Sequence, residues 1–429
     1  MSNDTITQDS DPTPQTAPPA IDPRLLVRQE GVKGYVDDFV RKVRGGDLGS
    51  IPVVAGLIII WMVFGLDNGR FFSADTFSNI SFFLCATGMA SLGLIFVLIL
   101  GEIDLSIMSV SGLSAAVFAT LSVSHGMNTW LAVVLTVLTG TAIGALHGFF
   151  FAKIGVPAFV VTLAGNLGWN GLMLWLLNSG TAGGSITIPE TGFMNMLGQS
   201  SFFLGGDIAG AYLLAGIAVA MMLGGSLLQQ GRRRKAGIPF KPTTEILLRT
   251  GLLAVAAFGT AYIVNQASGV YNALVFFLIA LVGCDFTLRR TSFGRKVFAV
   301  GGNIEAARRA GISVPGVRMA VLAISGTFGA LSGLFFAAWQ YSATLDAGTG
   351  NWLMLAIAAA VIGGTSLFGG RGKAWAALLG VLVIQSITTG LQMLNMGAAA
   401  QYMITAGVLL VAVVIDSISR KTQKAAGRG

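Results

Sequence analysis

Twelve apolar runs divide this chain, and almost every charge lies between them. They cover about 50–66, 79–100, 106–124, 129–152, 157–177, 211–228, 246–264, 271–288, 318–340, 352–368, 374–392 and 401–416. A membrane-spanning helix takes about 20 residues. Backbone groups in lipid must be satisfied inside the protein, so runs of this kind fold as packed helices. Charged residues make up 11% of the 429 and hydrophobic ones 54%, whereas soluble domains carry about 25% charge. That balance excludes an ordinary soluble enzyme, a disordered chain and a disulfide scaffold. The expected fold class is an all-α polytopic membrane protein with about twelve transmembrane helices, ten being the alternative count. Cys85 and Cys284 lie in apolar runs and read as buried, inert thiols.

The polar segments set an orientation. The first 23 residues are polar, carry five prolines from Pro12 to Pro23, and read as a disordered tail. Residues 25–44 place Val32, Val36, Phe39, Val40 and Val43 at helical spacing among basic residues. This fits either an amphipathic helix on the membrane surface or a short solvated helix. The expected organisation is a cytoplasmic tail 1–49, a transmembrane domain 50–416 and a basic cytoplasmic tail 417–429. With the start inside, every Lys and Arg of the 27 except Arg70 falls in an inward segment or at an inner edge. The outward segment 178–210 has none. The positive-inside rule then puts both termini in the cytoplasm. It also explains the +8 net charge through the lipid bilayer, without nucleic acid.

Several chemistries are missing. The run Gly369–Ala374 lacks the spacing and hydroxyl of a phosphate loop, so ATP binding in that mode is excluded. His125 falls in an expected outer turn, and His147, just before Gly148, reads as a polar contact to a neighbouring helix. No metal-ligand cluster or catalytic triad is visible, so no cofactor, metal or enzymatic activity is expected on this chain. Glu102, Asp104, Asp285 and Asp416 all read as lying at inner ends of spans. A charge near the bilayer centre costs about 2.5–3.5 kcal/mol, and the scarcity of such charges argues against an ion-coupled carrier. Gly140, Gly144 and Gly148, like Gly329 and Gly333, repeat every fourth residue and read as close-packed helix faces.

The inward loop 289–317 is the most informative segment. Asn303 is a good cap, Ala306, Ala307 and Ala310 favour helix, and Gly311 stops it. A short helix between two spans suits a lever, and a solvated basic loop is the alternative. Glu102 and Asp104 flank an inner junction, followed by Ser106, Ser109 and Ser111. They could line an inner gate, order a broken helix, or form an interfacial acidic turn. Thr365 and Ser366 sit at a matching junction, and Leu105 and Leu367 hint at a repeat about 262 residues apart.

Glu305-Ala306-Ala307 followed by Gly311 is similar to the EAA-x-x-x-G signature of permease subunits of ABC importers. The string Thr291–Ile312 resembles the ribose/xylose/galactose branch of that family. So do G-E-I-D-L-S at Gly101–Ser106, V-P-A-F-V-V-T-L-A-G at Val156–Gly165, and I-G-G-T-S-L-F-G-G-R-G at Ile362–Gly372. The blocks are in the family's order. The resemblance implies a multi-pass permease of the bacterial cytoplasmic membrane, working as a pair. Each copy would sit on an ATPase subunit that holds ATP and Mg, and a periplasmic or lipid-anchored binding protein would deliver sugar. Asn303, Glu305, Ala306, Ala307, Arg308 and Gly311 would form the coupling helix. The polar tail 1–49 and the basic stretch 231–242 are longer than a ten-span member would need, and the extra spans near 211–264 are like those of xylose-type members, which implies a pentose such as xylose. Another sugar, a nucleoside or a branched-chain amino acid stays open, as do an ion-coupled carrier and a passive channel.

A sugar path needs amides for hydroxyls and aromatics for stacking. Gln385, Thr388, Thr389 and Gln392 form a stripe at helical spacing, Gln340 and Tyr341 end another span, and Asn166, Trp169 and Asn170 form an amide–aromatic group. Each could equally serve only helix contacts.

Overall fold

The structure, a computed structural model, describes residues 51–178, 183–190, 192–198, 200–202, 207–238 and 240–425. The expected tail 1–49, its surface helix and the last residues of the basic tail lie outside the described residues. In chain order the helices are α1 (Ile51–Asp67), α2 (Ala74–Ile99), α3 (Ile107–Ala119), α4 (Thr129–Phe149), α5 (Ala158–Asn178), α6 (Gly192–Gly198), α7 (Asp207–Lys235), α8 (Thr243–Val264), α9 (Asn272–Arg290), α10 (Ser292–Gly302), α11 (Ile304–Arg309), α12 (Val314–Gln340), α13 (Trp352–Ile362), α14 (Trp375–Met393) and α15 (Ala398–Ala425). Single π turns extend α3 to Ser124 and α4 to Ile154.

Each of the twelve apolar runs carries a helix. Among the described residues, nine are long and apolar enough to cross a membrane, and the apolar parts of α1, α13 and α15 are shorter. The chain is therefore an all-α polytopic membrane protein. The basic stretch after residue 230 begins as the last turn of α7, which runs through Arg232–Lys235.

The bundle is built around α2. Its apolar window is 89% buried, against 11% for α7 and 17% for α8. α12, α3, α14, α13 and α9 pack on α2, while α7 and α8 pack mainly on each other. The glycine repeat works as a contact face. A Cβ on Gly140, Gly144 or Gly148 would strike Gly326 and Ala330, Leu322, and Met319 of α12 respectively. Small residues let the two backbones meet, which supplies packing that lipid cannot. Gly329 and Gly333 do the same on another face of α12, against the carbonyls of Ile107 and Ser111.

That second face reveals a broken span. Ile107, the first residue of α3, lies beside Gly329, fifteen residues into α12. At 1.5 Å per residue this is about 22 Å from the start of α12. Residues 101–106 therefore climb back into the bundle before α3 begins. From the other end, residues 345–351 lead into α13, which has only 11 residues. These two inward-running stretches meet, with Gly112 against the carbonyl of Ala347 and Gly348 against that of Met108. Discontinuous helices of this sort are common in transporters. A two-stranded ribbon, β1 (Ser185–Thr187) with β2 (Ser342–Thr344), is antiparallel and pairs Ile186 with Ala343.

Candidate functional site

The short helix α11 comes first in the geometry. Asn303 caps α11, its Oδ1 accepting the N–H of Ala306 at 2.9 Å. Gly311, at φ +77°, ends the helical stretch in a conformation that costs most side chains energy. Ala307 is buried and anchors α11, while Asn303, Glu305, Ala306, Arg308 and Arg309 are exposed. Glu305 and Arg308 pair at 2.8 Å across one turn, both more than 60% exposed. Such a pair contributes little stability and leaves a charged face available.

α10 ties α11 to the bundle by backbone. Gly301 sits on the carbonyl of Ile99, the last residue of α2, with no room for a Cβ. The same carbonyl accepts the N–H of Gly370 at 2.8 Å. The α13–α14 loop, with Gly369 against Gly101 and Gly301, completes the contact. Three backbones thus touch where a side chain on any one would separate them. Thr365 and Ser366 in that loop are 1% and 2% exposed. Ser366 Oγ accepts the N–H of Phe368 at 3.1 Å, which shapes the turn. Glu102 faces Arg318 at 3.8 Å. Burial raises the Glu102 carboxyl above its usual range, and the Arg318 guanidinium opposes that shift. Arg318 also lies over the Phe151 ring at 4.4 Å.

Asp104 corrects the sequence reading. It is not at the inner end of a span. It is 2% exposed and bonds Ser325, eleven residues into α12, about 16 Å from the start of that helix. Propensity and hydropathy missed this because the chain re-enters the bundle at residue 101, and neither signal encodes re-entry. The carboxylate accepts the Ser106 N–H at 2.8 Å and the Ser106 hydroxyl at 2.6 Å on Oδ1, and the Ser325 hydroxyl at 2.6 Å on Oδ2. Three donors offset the cost of a buried charge, and its sign suits the N-terminus of α3.

The network continues through His147, as its position suggested. Trp169 Nε1 reaches His147 Nε2 at 2.9 Å. An indole N–H only donates, so Nε2 is an acceptor and the ring proton sits on Nδ1. That proton points to Ser106 Oγ at 3.2 Å, whose own hydrogen goes to Asp104. The order of donation is Trp169, His147, Ser106, Asp104. It ties α5, α4, the start of α3 and, through Ser325, α12. Thr162 adds a bond to the carbonyl of Ile103 at 3.4 Å, besides one to Ala158 at 3.0 Å.

A second polar region lies between α2, α12, α13 and α14. A cavity of about 110 Å³ is lined by Phe83, Thr87, Phe336, Trp339, Trp352, Leu355, Val381, Ile384, Gln385, Thr388 and Gln392. Its rings stand edge to face. Phe83 and Trp339 have centroids 5.0 Å apart, and Phe336 and Trp352 4.8 Å. Thr87 and Gln385 are buried within it, and Gln392 is exposed at the end of α14. Gln385 Nε2 donates to Thr389 at 3.3 Å.

The three candidate path groups therefore separate. Gln385, Thr388 and Gln392 line the cavity. Trp169 belongs to the Asp104 network, and Asn170 reaches back to Asn166 at 3.5 Å along α5. Gln340 is exposed and takes the hydroxyl of Thr344 at 3.3 Å. The sequence reading missed Phe83, Thr87, Phe336, Trp339, Trp352 and Ser325. Trp339, one residue before Gln340, was the available signal.

A many-span helical bundle with a broken span and a short exposed helix between spans is a frame common among membrane transporters. Its relatives make the class specific. The chain belongs to the family described as "Branched-chain amino acid transport system / permease component", whose model matches residues 76–414. It is 33% identical over 374 residues to the xylose transport system permease protein of Escherichia coli (strain K12), covering 86% of this chain and 92% of that one. The xylose transport system permease protein of Haemophilus influenzae is 34% identical, at 89% and 99% coverage. The ribose import permease protein of the same organism is 29% identical, at 84% and 91%. No solved structure matches. Within its family the chain is a multi-pass inner-membrane permease of the sugar-importing ABC type, a transport subunit.

Proposed function

We propose that this chain is the permease subunit of an importer that moves a monosaccharide, a pentose such as xylose, into the cytoplasm with energy from ATP. The observation that carries this reading is the lever. α11 presents a charged, exposed face, and α10 rests backbone to backbone on the end of α2 and on the α13–α14 loop. A push on α11 is passed to the most buried helix without a flexible link. Packed elements of this kind shift as bodies between discrete arrangements.

The partners follow from that reading. A separate ABC ATPase would hold ATP and Mg and receive Asn303, Glu305, Arg308 and neighbours in a groove. A second copy of this chain would complete the passage, a sugar-binding protein would deliver substrate, and both termini would lie in the cytoplasm. The similarity to xylose and ribose permeases supports a pentose.

The test is Glu305→Arg in vesicles with the ATPase and binding protein. Uptake is expected to fall while the chain still inserts. Normal uptake by this variant would remove the lever from the mechanism. A second reading, an ion-coupled carrier, gains one observation from the buried Asp104. Three donors already occupy that carboxylate, which leaves it suited to holding structure. Sugar movement by the chain alone under an ion gradient would favour the carrier.

A further inference from the structure

The cavity between α2, α12, α13 and α14 is built differently from the glycine contacts beside it. Beside it, α2 meets α12 through a small residue, with Gly93 on Ser325 and Phe328. Here four aromatic rings hold the helices apart. Rings from three helices (Phe83, Phe336 and Trp339, Trp352) make a wall, edge to face except for the tilted Phe336–Trp339 pair. Facing it, α14 presents Gln385, Thr388 and Gln392 on one side, and α2 adds Thr87.

A purely structural wall in lipid surroundings gains nothing from amides. A buried amide without partners costs free energy. Gln385 is 8% exposed and spends one amide hydrogen on Thr389. Its carbonyl oxygen and second hydrogen remain as one acceptor and one donor. Neutral donors and acceptors opposite aromatic faces fit a ligand with hydroxyls on its rim and C–H groups on its face. The rim would bond the amides and hydroxyls, and the C–H face would lie on the rings. Among the described residues, no Lys, Arg, Asp or Glu lines the cavity, which disfavours amino acids and phosphorylated sugars. The volume of about 110 Å³ is well below the roughly 300 Å³ at which drug-sized pockets begin. It suits one small ring and excludes a disaccharide.

We propose that this cavity is a binding site for an uncharged monosaccharide, a pentose in size, within a single copy of the chain. It rests on the importer reading for its biological sense, but the binding itself does not depend on the ATPase. The exposed Gln392 marks its mouth. Gln385 and Thr87 contact the sugar inside, and the indoles of Trp339 and Trp352 form its floor.

The experiment has two arms. In the first, Thr388→Cys is placed in the purified full-length chain and labelled with a small thiol reagent. The native Cys85 and Cys284 are buried and serve as the background. D-Xylose or D-ribose at saturating concentration is expected to slow labelling several-fold, and sucrose to have no effect. Equal rates with and without pentose overturn the proposal. The second arm uses Gln385→Leu, nearly isosteric, in vesicles with the ATPase and binding protein. Losing a hydrogen bond to substrate is expected to cut uptake at low sugar by about tenfold, with ATP hydrolysis still responding to the loaded binding protein. Unchanged uptake by Gln385→Leu beside a working wild type also overturns the site. Absence of uptake by the wild-type assembly, with pentose protection of Thr388→Cys retained, instead overturns the importer reading and leaves the site standing.

Discussion

The Asp104 network and the aromatic cavity are both polar regions inside the same bundle, and they are built on opposite terms. At Asp104 each lone pair in use has a named donor, and the surrounding helices touch through glycines. In the cavity, polar groups outnumber their bonds and rings keep the backbones apart. A satisfied buried network fixes one arrangement, whereas a half-satisfied one is costly unless a ligand completes it. The difference teaches which residues hold shape and which await a substrate. Variants at Asp104 should lose folded protein, and variants in the cavity should lose transport alone.

The largest expected effect is at Asp104. Asp104→Ala strands three donors, and each buried unsatisfied group costs about 1–3 kcal/mol. The total, on the order of 5 kcal/mol, approaches the whole stability of a typical domain. Thermal unfolding and size exclusion in detergent should show little monodisperse protein. Asp104→Asn keeps an acceptor oxygen and should lose less. An unchanged Tm for the alanine variant would break the comparison, since the network would then hold nothing.

Next comes the backbone contact under the lever. Gly301→Leu puts a side chain where the carbonyl of Ile99 sits. Overpacking of this kind costs about 1–3 kcal/mol. In the proposed mechanism this contact would carry movement of α10 to α2, so sugar uptake should fall more than stability does. Uptake assays paired with Tm would show whether the two losses separate.

Much of this was legible in the sequence, for physical reasons. Apolar runs must become helices in lipid, so all twelve carry one. Asn303 and Gly311 are local signals acting on their own backbone, and they bound α11 as expected. His147 had a polar neighbour because a lone imidazole in an apolar helix needs one. What was illegible depends on the chain doubling back. The climb of residues 101–106 beside α12 moved Asp104 from a surface turn to the interior. Phe83 lies far in sequence from Trp339 and Trp352, which sit on successive helices, and no spacing rule joins any of them to Gln385.

A smaller effect separates the two regions through their tryptophans. Trp169→Phe removes the indole donor to His147 and keeps most of the bulk. The loss should be about 1 kcal/mol, read as a modest drop in Tm. Trp339→Phe, in the cavity wall, should leave Tm near the wild-type value and weaken pentose protection of Thr388→Cys. Equal Tm shifts for the two would remove the distinction between a holding residue and a ligand-facing one.

The smallest effect is at Glu102, which lies between the lever contact and the Asp104 network. Burial raises its carboxyl above the ordinary 4.5, with Arg318 pulling the other way. A raised value in the folded protein means that folding favours the protonated acid. That contribution is fully present below 4.5 and is lost as pH rises through the folded value. Glu102 is about a quarter exposed, so solvent screening keeps the change small. Wild-type Tm should therefore fall slightly, relative to Glu102→Gln, as pH is raised across this window, and the variant curve should be flatter. Parallel curves would mean that the carboxyl feels no net cost from its burial. The re-entrant turn at Gly101 would then be held by Arg318 and the glycine contacts alone.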